Sequence, residues 1–476
     1  MLNKIMTNAL QPTINFNEYL STLDWIIFSL VMMITLISVI YGQYLKNNNN
    51  KDTGESLLDL LLMGRKLTLP LFVATLVATW YGGIFGVTRI AFEKGIFNFI
   101  TQGVFWYITY LLFAFFLIKK ISKYEALTLP DLIGQMFGPK SLKLSAIFNF
   151  FNVLPIVYVI SLGLFIQIFI GGSLTICMII GVVFVLLYAT FGGFRAVVFS
   201  DLVQFFVMCL GVAIILIYSV YHFGGISFLK ANLPETHFSL TGEEGIWATL
   251  VWGFIALSTL VDPNFYQRCF AAKNTSVAKK GIIISTFIWF LFDICTTFGA
   301  MYARATIPEA APENAYFIYA LQIIPNGLRG FFLAGILATI LSTLDSYLFL
   351  AGTTLTYDLL WGKLKKKIWL HHFGIVLVAI IAIVMATLFN GNIKIVWKTL
   401  GSYSASCLLL PVMAGHLFPG KISDNRFVIS CLLGVIGTTW WRLAPHTGFL
   451  VNIDELYIGV LCTLTGLIFP KIGKKR

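Results

Sequence analysis

Charged residues are scarce in this sequence: they make up 11% of its 476 residues, whereas 58% are hydrophobic. A soluble domain carries about 25% charged residues, so the composition argues against a soluble enzyme. The seven cysteines have neither the spacing of metal ligands nor that of a disulfide framework. Walker-type glycine-rich loops, histidine-rich segments and Ser/His/Asp constellations are also missing. These absences argue against an ATP-driven pump and against an enzyme.

Long hydrophobic runs are abundant, and they predict an all-α integral membrane protein. A transmembrane helix needs about 20 mostly apolar residues, and the sequence contains about 13 runs of this kind. We therefore expect a multi-pass protein of the cell (inner or plasma) membrane, with the lipid bilayer as its surroundings. The runs lie near residues 24–43, 68–90, 96–118, 143–171, 173–191, 200–221, 245–262, 278–303, 328–352, 368–389, 394–418, 426–444 and 455–470.

The basic residues predict how the chain is oriented in the membrane. The net charge is +12, and most Lys and Arg residues lie in alternate loops and at the C-terminus, for example in 363–367 and 471–476. Because Lys and Arg concentrate on the cytoplasmic side, we expect the C-terminus in the cytoplasm and the N-terminus outside. An odd number of spans gives the same orientation. Membrane topology thus accounts for the basicity, and no nucleic-acid partner is expected.

Two of the runs are interrupted at matching positions, which suggests an internal repeat. Gly82, Gly83 and Gly86 weaken the second run, and Asp262 precedes a proline, which biases it away from helical geometry. Transporters with inverted repeats have such broken helices, although glycines also serve ordinary helix packing. The predicted divisions are an N-terminal helix and loop (1–67), a five-helix repeat (68–221), its inverted copy (245–418), and two C-terminal helices with a basic tail (426–476).

Carboxylates and hydroxyls lie beside or within two of the apolar runs. Asp201 follows a glycine pair at 192–193, and Asp345 and Ser346 follow the adjacent hydroxyls of Ser342 and Thr343. A charge inside hydrocarbon is costly, so it usually serves a pathway, an ion pair or a bound ion. Oxygen ligands suit small hard cations. The pattern therefore predicts a cation site, although the Ser342 and Thr343 hydroxyls could instead bond carbonyls of their own helix.

Three motifs, in the same order along the chain, resemble those of the sodium:solute symporter family. Residues 192–204 match the signature GG-x-x-A-V-x-x-T-D-x-x-Q with Ser200 in place of the usual Thr, and residues 267–273 match Q-R-x-x-A-A-K. Ser342 and Thr343 match the family's paired hydroxyls. The resemblance covers nearly the whole chain. It implies the LeuT-type fold, with two inverted repeats of five helices, and sodium-coupled uptake of a solute by alternating access.

The resemblance also implies where sodium binds, with Na+ as the coupling ion. In this family the ion lies where the broken first helix of one repeat meets the eighth helix, which belongs to the other. The matching ligands are the backbone carbonyls of Ala78, Tyr81 and Thr339 and the hydroxyls of Ser342 and Thr343. The family usually has alanine at the position of Thr339, and a carbonyl ligand tolerates that change.

Some members of the family have a second sodium site, whose matching positions are Asp201, Ser342, Asp345 and Ser346. Asp345 stands where those members carry a hydroxyl. Two close carboxylates cannot both stay ionised without a cation, so the pair could hold sodium or share a proton. Alternatively, Asp201 lies at the cytoplasmic mouth and guides ion release, or the two residues are paired for structural reasons.

The predicted substrate site combines aromatic rings with carboxylates. Sugar-transporting relatives carry amide and Lys side chains where this chain has Trp80, Phe85 and Trp289, and sugar hydroxyls need many buried hydrogen-bond partners. Residues 78–83 and 342–346 resemble the choline-transporting branch, in which Trp80 would form one wall of a cage for quaternary ammonium. That branch has a tryptophan where Asp262 stands. The predicted substrate-binding residues are Trp80, Gly82, Gly83, Trp252, Ser258, Asp262, Trp289 and Asp293, with Trp106 and Tyr107 as candidate further walls.

These features together predict sodium-coupled secondary active uptake of a small organic solute, with an organic cation or zwitterion as the expected class. Other amino acids, monocarboxylates, vitamins and sugars are alternative substrates. A membrane sensor with a transporter-like fold is the alternative function. For each aromatic residue, packing against lipid or against another helix is the alternative to a role in binding.

Overall fold

The computed structural model describes residues 19–49, 57–189, 193–360, 368–448, 450 and 453–468. In these ranges the chain is helical apart from short connections and one isolated bridge between Leu67 and Ala272, which confirms the all-α prediction. Gly192 of the signature and the basic segments 363–367 and 471–476 lie outside the described residues. The helices are α1 (Thr22–Asn49), α2 (Leu57–Leu62), α3 (Leu69–Ala78), α4 (Ile84–Lys94), α5 (Ile96–Ile121), α6 (Leu129–Phe137), α7 (Pro139–Asn152), α8 (Ile156–Ile170), α9 (Leu174–Ala189), α10 (Gly193–Phe223), α11 (Ile226–Asn232), α12 (Gly245–Leu257), α13 (Pro263–Ala271), α14 (Thr275–Thr306), α15 (Ala315–Ile323), α16 (Leu328–Thr353), α17 (Ile368–Leu388), α18 (Ile393–Leu417), α19 (Asp424–Leu443) and α20 (Glu455–Ile468).

The membrane-spanning character of the chain is evident in its helices. Nine helical segments of the described residues are long and apolar enough to cross a bilayer, and α3, most of α9 and α20 are shorter apolar helices. Each of the predicted runs falls on one or more helices, while the count of 13 spans stays a prediction. Large apolar side chains point outward, for example Ile37 at 63% exposure and Leu187 at 73%, as expected for surfaces that contact lipid tails rather than water.

Both predicted interruptions are breaks in helices. The first separates α3 from α4, because α3 ends at Ala78 and α4 begins at Ile84. The second follows α12, where a single turn of 3-10 helix leads to Asp262, whose extended backbone (φ −81°, ψ 119°) precedes α13. The two breaks therefore occur where the sequence predicts broken helices of two repeats, and the division of the chain into those repeats stays a prediction.

Helix α16 lies at the centre of the protein. The most apolar stretch of Leu328–Leu359 is completely buried by other parts of the chain, and α16 packs against α1, α3, α8, α10 and α17. The hydroxyl-bearing residues Ser342, Thr343 and Ser346 lie on this helix, each at most 2% exposed. A helix surrounded on all sides by protein can carry polar groups at membrane depth, because neighbouring helices supply their hydrogen-bond partners.

Candidate functional site

The break after α3 leaves backbone carbonyls that side chains of other helices satisfy. The last carbonyls of a helix lack intrahelical partners. Here the Ser342 hydroxyl donates to the Ala78 carbonyl at 2.7 Å, and the Thr343 hydroxyl lies 3.4 Å from the same oxygen. The indole N–H of Trp289 donates to the carbonyl of Val77 at 3.4 Å. Helix α16 is thus joined to the break through two hydroxyls.

Four of the five predicted sodium ligands converge at this point. The hydroxyls of Ser342 and Thr343 also lie 3.2 and 3.0 Å from the carbonyl of Thr339, so they bond their own helix as well as Ala78. The resulting group of two carbonyl and two hydroxyl oxygens, which we call the oxygen cluster, lies entirely on buried residues. Uncharged oxygen donors of this kind suit a small hard cation.

Tyr81, the fifth predicted ligand, follows the end of α3. Its ring packs on Phe292 with centroids 4.2 Å apart, and the role of its carbonyl stays a prediction. Gly82 next to it is packed tightly: a Cβ atom there would come within 2.6 Å of the Thr343 Cβ and of the Tyr158 ring. Only glycine lets the break approach Thr343 this closely.

Asp201 belongs to a second polar cluster near the same break. Its Oδ2 accepts a hydrogen bond from the Thr75 hydroxyl at 2.5 Å, and the Thr79 hydroxyl lies 3.5 Å away. The guanidinium of Arg268 lies 4.0 Å from the same oxygen, and both side chains are fully buried. Arg268 also donates to the hydroxyls of Thr79 and Ser346, each at 2.8 Å. A permanent cation therefore already lies beside Asp201.

A further residue of the predicted second cation site belongs to the same cluster. Ser346 joins the cluster through Arg268 and through the Thr79 hydroxyl at 3.2 Å. Asp345 is buried one residue earlier on α16, at 3% exposure. Sequence analysis used Arg268 only as part of a motif, although an arginine within a predominantly apolar segment predicts a buried acidic partner. The pairing of Asp201 with Asp345 stays a prediction.

A cavity of about 140 Å³ lies beside the break. Six of the predicted residues line it, together with Trp106, which the sequence suggested as a further wall. Sequence analysis missed Trp397 and the polar side chains of Gln102, Asn152, Tyr158 and Tyr347. The predicted residues that line the cavity are Trp80, Tyr81, Gly83, Trp252, Ser258 and Asp262.

Asp262 is the one charged residue among the described residues that line this cavity. Its extended backbone caps α13, and its Oδ1 accepts a hydrogen bond from the Asn264 backbone N–H at 2.7 Å. The side chain is only partly buried. The carboxylate therefore stabilises the start of a helix and faces the cavity at the same time.

Three predicted substrate residues do not line the cavity. Gly82 faces Thr343, as described above. Trp289 lies behind Trp80, with ring centroids 5.8 Å apart, and packs on Tyr110 at 4.6 Å. Asp293 is 2% exposed and contacts Tyr107. Trp289 and Asp293 share one face of α14, and that face packs against α3 and α5 rather than the cavity.

Ion pairs link the first broken helix to the helix ends around it. The Glu244 carboxylate, which precedes α12, contacts Lys94 of α4 and lies 3.4 Å from Lys394 of α18. Arg89 of α4 pairs with Glu313 at 2.6 Å. We refer to Lys94, Glu244 and Lys394 as the Glu244 cluster. It joins three elements that also contribute residues to the cavity wall.

Curated relatives of this chain are solute transporters, and sodium is part of the name of several of them. The sodium/pantothenate symporter of Haemophilus influenzae is 24% identical over 387 residues, which cover 74% of this chain and 76% of the relative. The osmoregulated proline transporter OpuE of Bacillus subtilis is 24% identical over 382 residues, or 74% of this chain and 75% of that protein. A rabbit sodium/glucose cotransporter 1 is 25% identical over half of this chain and 44% of its own length.

The fold is that of LeuT-type transporters. A Na+-coupled sialic acid symporter, solved in a substrate-bound outward-open state, superposes with a TM-score of 0.74 at 16% identity and covers 94% of this chain. The family model for sodium:solute symporters matches residues 60–418, which include both breaks, α16 and all residues of the cavity. The transporter prediction and the assignment as a non-enzyme are thereby confirmed, and a specific relation to the choline-transporting branch is not. This chain belongs to the sodium:solute symporter family.

Proposed function

We propose that this chain takes up a small organic cation or zwitterion together with sodium. The solute occupies the aromatic cavity, and sodium binds Ala78, Tyr81, Thr339, Ser342 and Thr343. The proposed direction is inward, with the N-terminus outside and the C-terminus in the cytoplasm. Asp201, Asp345 and Ser346 are the proposed residues for a second cation or for ion release.

The charge of the cavity wall carries this proposal. Among the described lining residues Asp262 is charged, whereas no Lys or Arg side chain is present. Four indole rings, those of Trp80, Trp106, Trp252 and Trp397, lie in the same wall. Aromatic faces and a carboxylate both attract a cationic group, and a lone carboxylate in the solute would be repelled by Asp262. The amides of Gln102 and Asn152 offer donors for the carboxylate of a zwitterion.

The short distance between the two sites supports coupling. Tyr81 lines the cavity, and Gly82 next to it packs on Thr343 of the oxygen cluster. An ion that fixes the break against α16 would therefore also fix one wall of the cavity. The relatives favour no single substrate, since their names specify pantothenate, proline and glucose; proline is a zwitterion, as proposed for this chain.

Competition for sodium-dependent uptake tests the substrate class. Purified protein in liposomes with a sodium gradient is offered labelled choline, betaine and proline, and acetate, pantothenate and galactose serve as competitors. We expect uptake of the first group and little competition by the second. In a parallel assay with labelled acetate, pantothenate and galactose, sodium-dependent uptake of these solutes, with none of choline, betaine or proline, would refute the cation or zwitterion assignment while leaving sodium coupling intact.

Substitution of Trp80 tests the cavity itself. Loss of the ring in Trp80→Ala should cost on the order of 1–2 kcal/mol of binding, or roughly 5- to 30-fold in affinity, and Trp80→Phe should cost less. Trp440, which is 60% exposed on α19, provides a matched control: Trp440→Ala should leave affinity unchanged. Equal affinities for Trp80→Ala and the control would place the solute elsewhere.

Removal of the paired hydroxyls tests the sodium site. We expect the Ser342→Ala/Thr343→Ala double variant to need a higher sodium concentration for half-maximal uptake, because two of the proposed ligands are lost. Thr353 on the same helix is buried and donates to the Phe349 carbonyl one turn earlier, so Thr353→Ala controls for the loss of a buried hydroxyl. Unchanged sodium dependence in the double variant would exclude this site.

A further inference from the structure

A buried carboxyl group lies behind the cavity wall. Asp293 of α14 is 2% exposed, and its Oδ2 accepts a hydrogen bond from the Tyr107 hydroxyl of α5. Its Oδ1 has no hydrogen-bond partner. Gly103 lies against the same carboxyl, since a Cβ atom there would come within 3.3 Å of Oδ2. One oxygen of this carboxyl therefore has no hydrogen-bond partner, although it lies within a helix long and apolar enough to span a membrane.

Among the described residues, no cationic side chain pairs with Asp293 to neutralise a negative charge. The titratable groups around it are the Tyr107 phenol and the Cys295 thiol, with Cys209 of α10 and Tyr316 of α15 beyond that thiol. Free phenols and thiols are mostly uncharged at neutral pH. An isolated buried carboxylate is so unfavourable that such a group takes up a proton instead.

Helix α5 contributes residues both to the cavity wall and to the surroundings of this carboxyl. Gln102 and Trp106 line the cavity, while their neighbours Gly103 and Tyr107 contact Asp293. The Gln102 side-chain nitrogen is buried and lacks a hydrogen-bond partner, while the residue lines the cavity, so a rotation of the amide would let it bind water of the cavity. This part of α5, Phe99–Val104, is π-helical, a local widening that often occurs at functional positions.

We propose that Asp293 and Tyr107 form a proton-binding site that exchanges its proton with water of the substrate cavity. The proton adds to one carboxylate oxygen of Asp293 and leaves as hydronium through the Gln102 side of the cavity. Tyr107 keeps its own proton and stabilises the carboxyl through one hydrogen bond. The exchange during transport rests on the proposed sodium-coupled function, whereas the protonated carboxyl does not.

Infrared spectroscopy of the purified protein tests the protonated carboxyl directly. At neutral pH the wild-type protein should show the carbonyl stretch of a protonated carboxylic acid, and Asp293→Asn should lack it. Asn is isosteric with the neutral acid, so this variant should remain folded. Tyr107→Phe should keep the band but shift its frequency, because one hydrogen bond is lost. Asp59 pairs with Arg195 at 2.7 Å, so Asp59→Asn should leave the band unchanged.

Identical carbonyl spectra for the wild type and Asp293→Asn would overturn the proposal. Proton exchange is tested by adding sodium chloride to weakly buffered protein and measuring proton release with a pH indicator. Potassium chloride at the same concentration serves as the salt control. A sodium-dependent proton release that persists unchanged in Asp293→Asn would also overturn it. Sodium binding is followed in the same samples by thermal unfolding, because a bound ion stabilises the folded state. Sodium stabilisation without the infrared band refutes the proton site alone; the band without sodium stabilisation refutes the sodium site alone.

Discussion

Replacing Gly82 by alanine should weaken sodium binding although it removes no ligand. The added Cβ would lie 2.6 Å from the Thr343 Cβ, 2.8 Å from its hydroxyl oxygen and 2.6 Å from the Tyr158 ring. Real contacts are not this short, so either the break or α16 has to move. The φ angle of Gly82 is not positive, so alanine meets no backbone strain and the effect is one of contact alone.

The magnitude follows from the cost of overpacking. Forcing an extra methyl group into a packed interior costs about 1–3 kcal/mol. If that strain is relieved when Thr343 moves away from Ala78, the added methyl group disfavours the close approach of Thr343 to Ala78 that the proposed sodium site needs. The sodium affinity should then fall by about 5- to 150-fold. The stability of the sodium-free protein should change less than that of the sodium-bound protein.

Sodium-dependent thermal unfolding measures this effect on purified protein without a known substrate. A bound ion raises stability in proportion to the logarithm of its concentration above the dissociation constant, so the onset should move to higher sodium in Gly82→Ala. Gly211 on α10 provides the control, because the nearest atom to its added Cβ is 3.7 Å away. Gly211→Ala should keep the wild-type onset. The same onset in Gly82→Ala would refute the link between this contact and the ion.

Two further predictions concern charged residues. If Asp201 and Asp345 share a cation or a proton, Asn substitutions at both positions should be non-additive in sodium affinity and in the pH profile; strict additivity would mean that they act separately. In the Glu244 cluster, burial raises the pKa of Glu244, but the hydrogen bond and charges of Lys94 and Lys394 outweigh it and lower the pKa overall. Its stabilising contribution is therefore present at neutral pH and is lost as the pH falls below the ordinary value of 4.5 toward the folded-state pKa. Glu244→Gln should flatten the acid side of the thermal unfolding profile, and an unchanged profile would contradict the assignment.

The sequence predicted the region of the break well because the break has a local cause. Gly82 and Gly83 lie in the break of the second apolar run, whereas Gly86 lies inside α4, and a broken helix leaves free carbonyls near its end. The paired hydroxyls of Ser342 and Thr343 could be matched to those carbonyls by motif. Short motifs were therefore enough to predict the contact of Ser342 and Thr343 with Ala78, although these residues are far apart in the chain.

The cavity wall was harder to predict because nothing in the sequence shows which way a uniformly apolar helix faces. Trp289 and Asp293 stand out in α14, yet that helix has apolar residues on every side, and its rotation is fixed by packing. Trp397 and Gln102 lie on helices without a motif or a predicted break. Arg268 was present in a recognised motif, but its role depends on Asp201, which is 67 residues earlier in the chain.

The chemistry of the oxygen cluster has a consequence for the electrical behaviour of transport. The groups that converge at Ala78, Thr339, Ser342 and Thr343 are carbonyls and hydroxyls, so the cluster has no charge of its own. If sodium binds here as proposed, the membrane voltage acts on the ion and not on these ligands, with about 2.3 kcal/mol per elementary charge for each 100 mV. Through this cluster, a negative potential in the cell would favour the inward-opening step of the sodium-loaded protein. It would not oppose the outward return of the sodium-free protein.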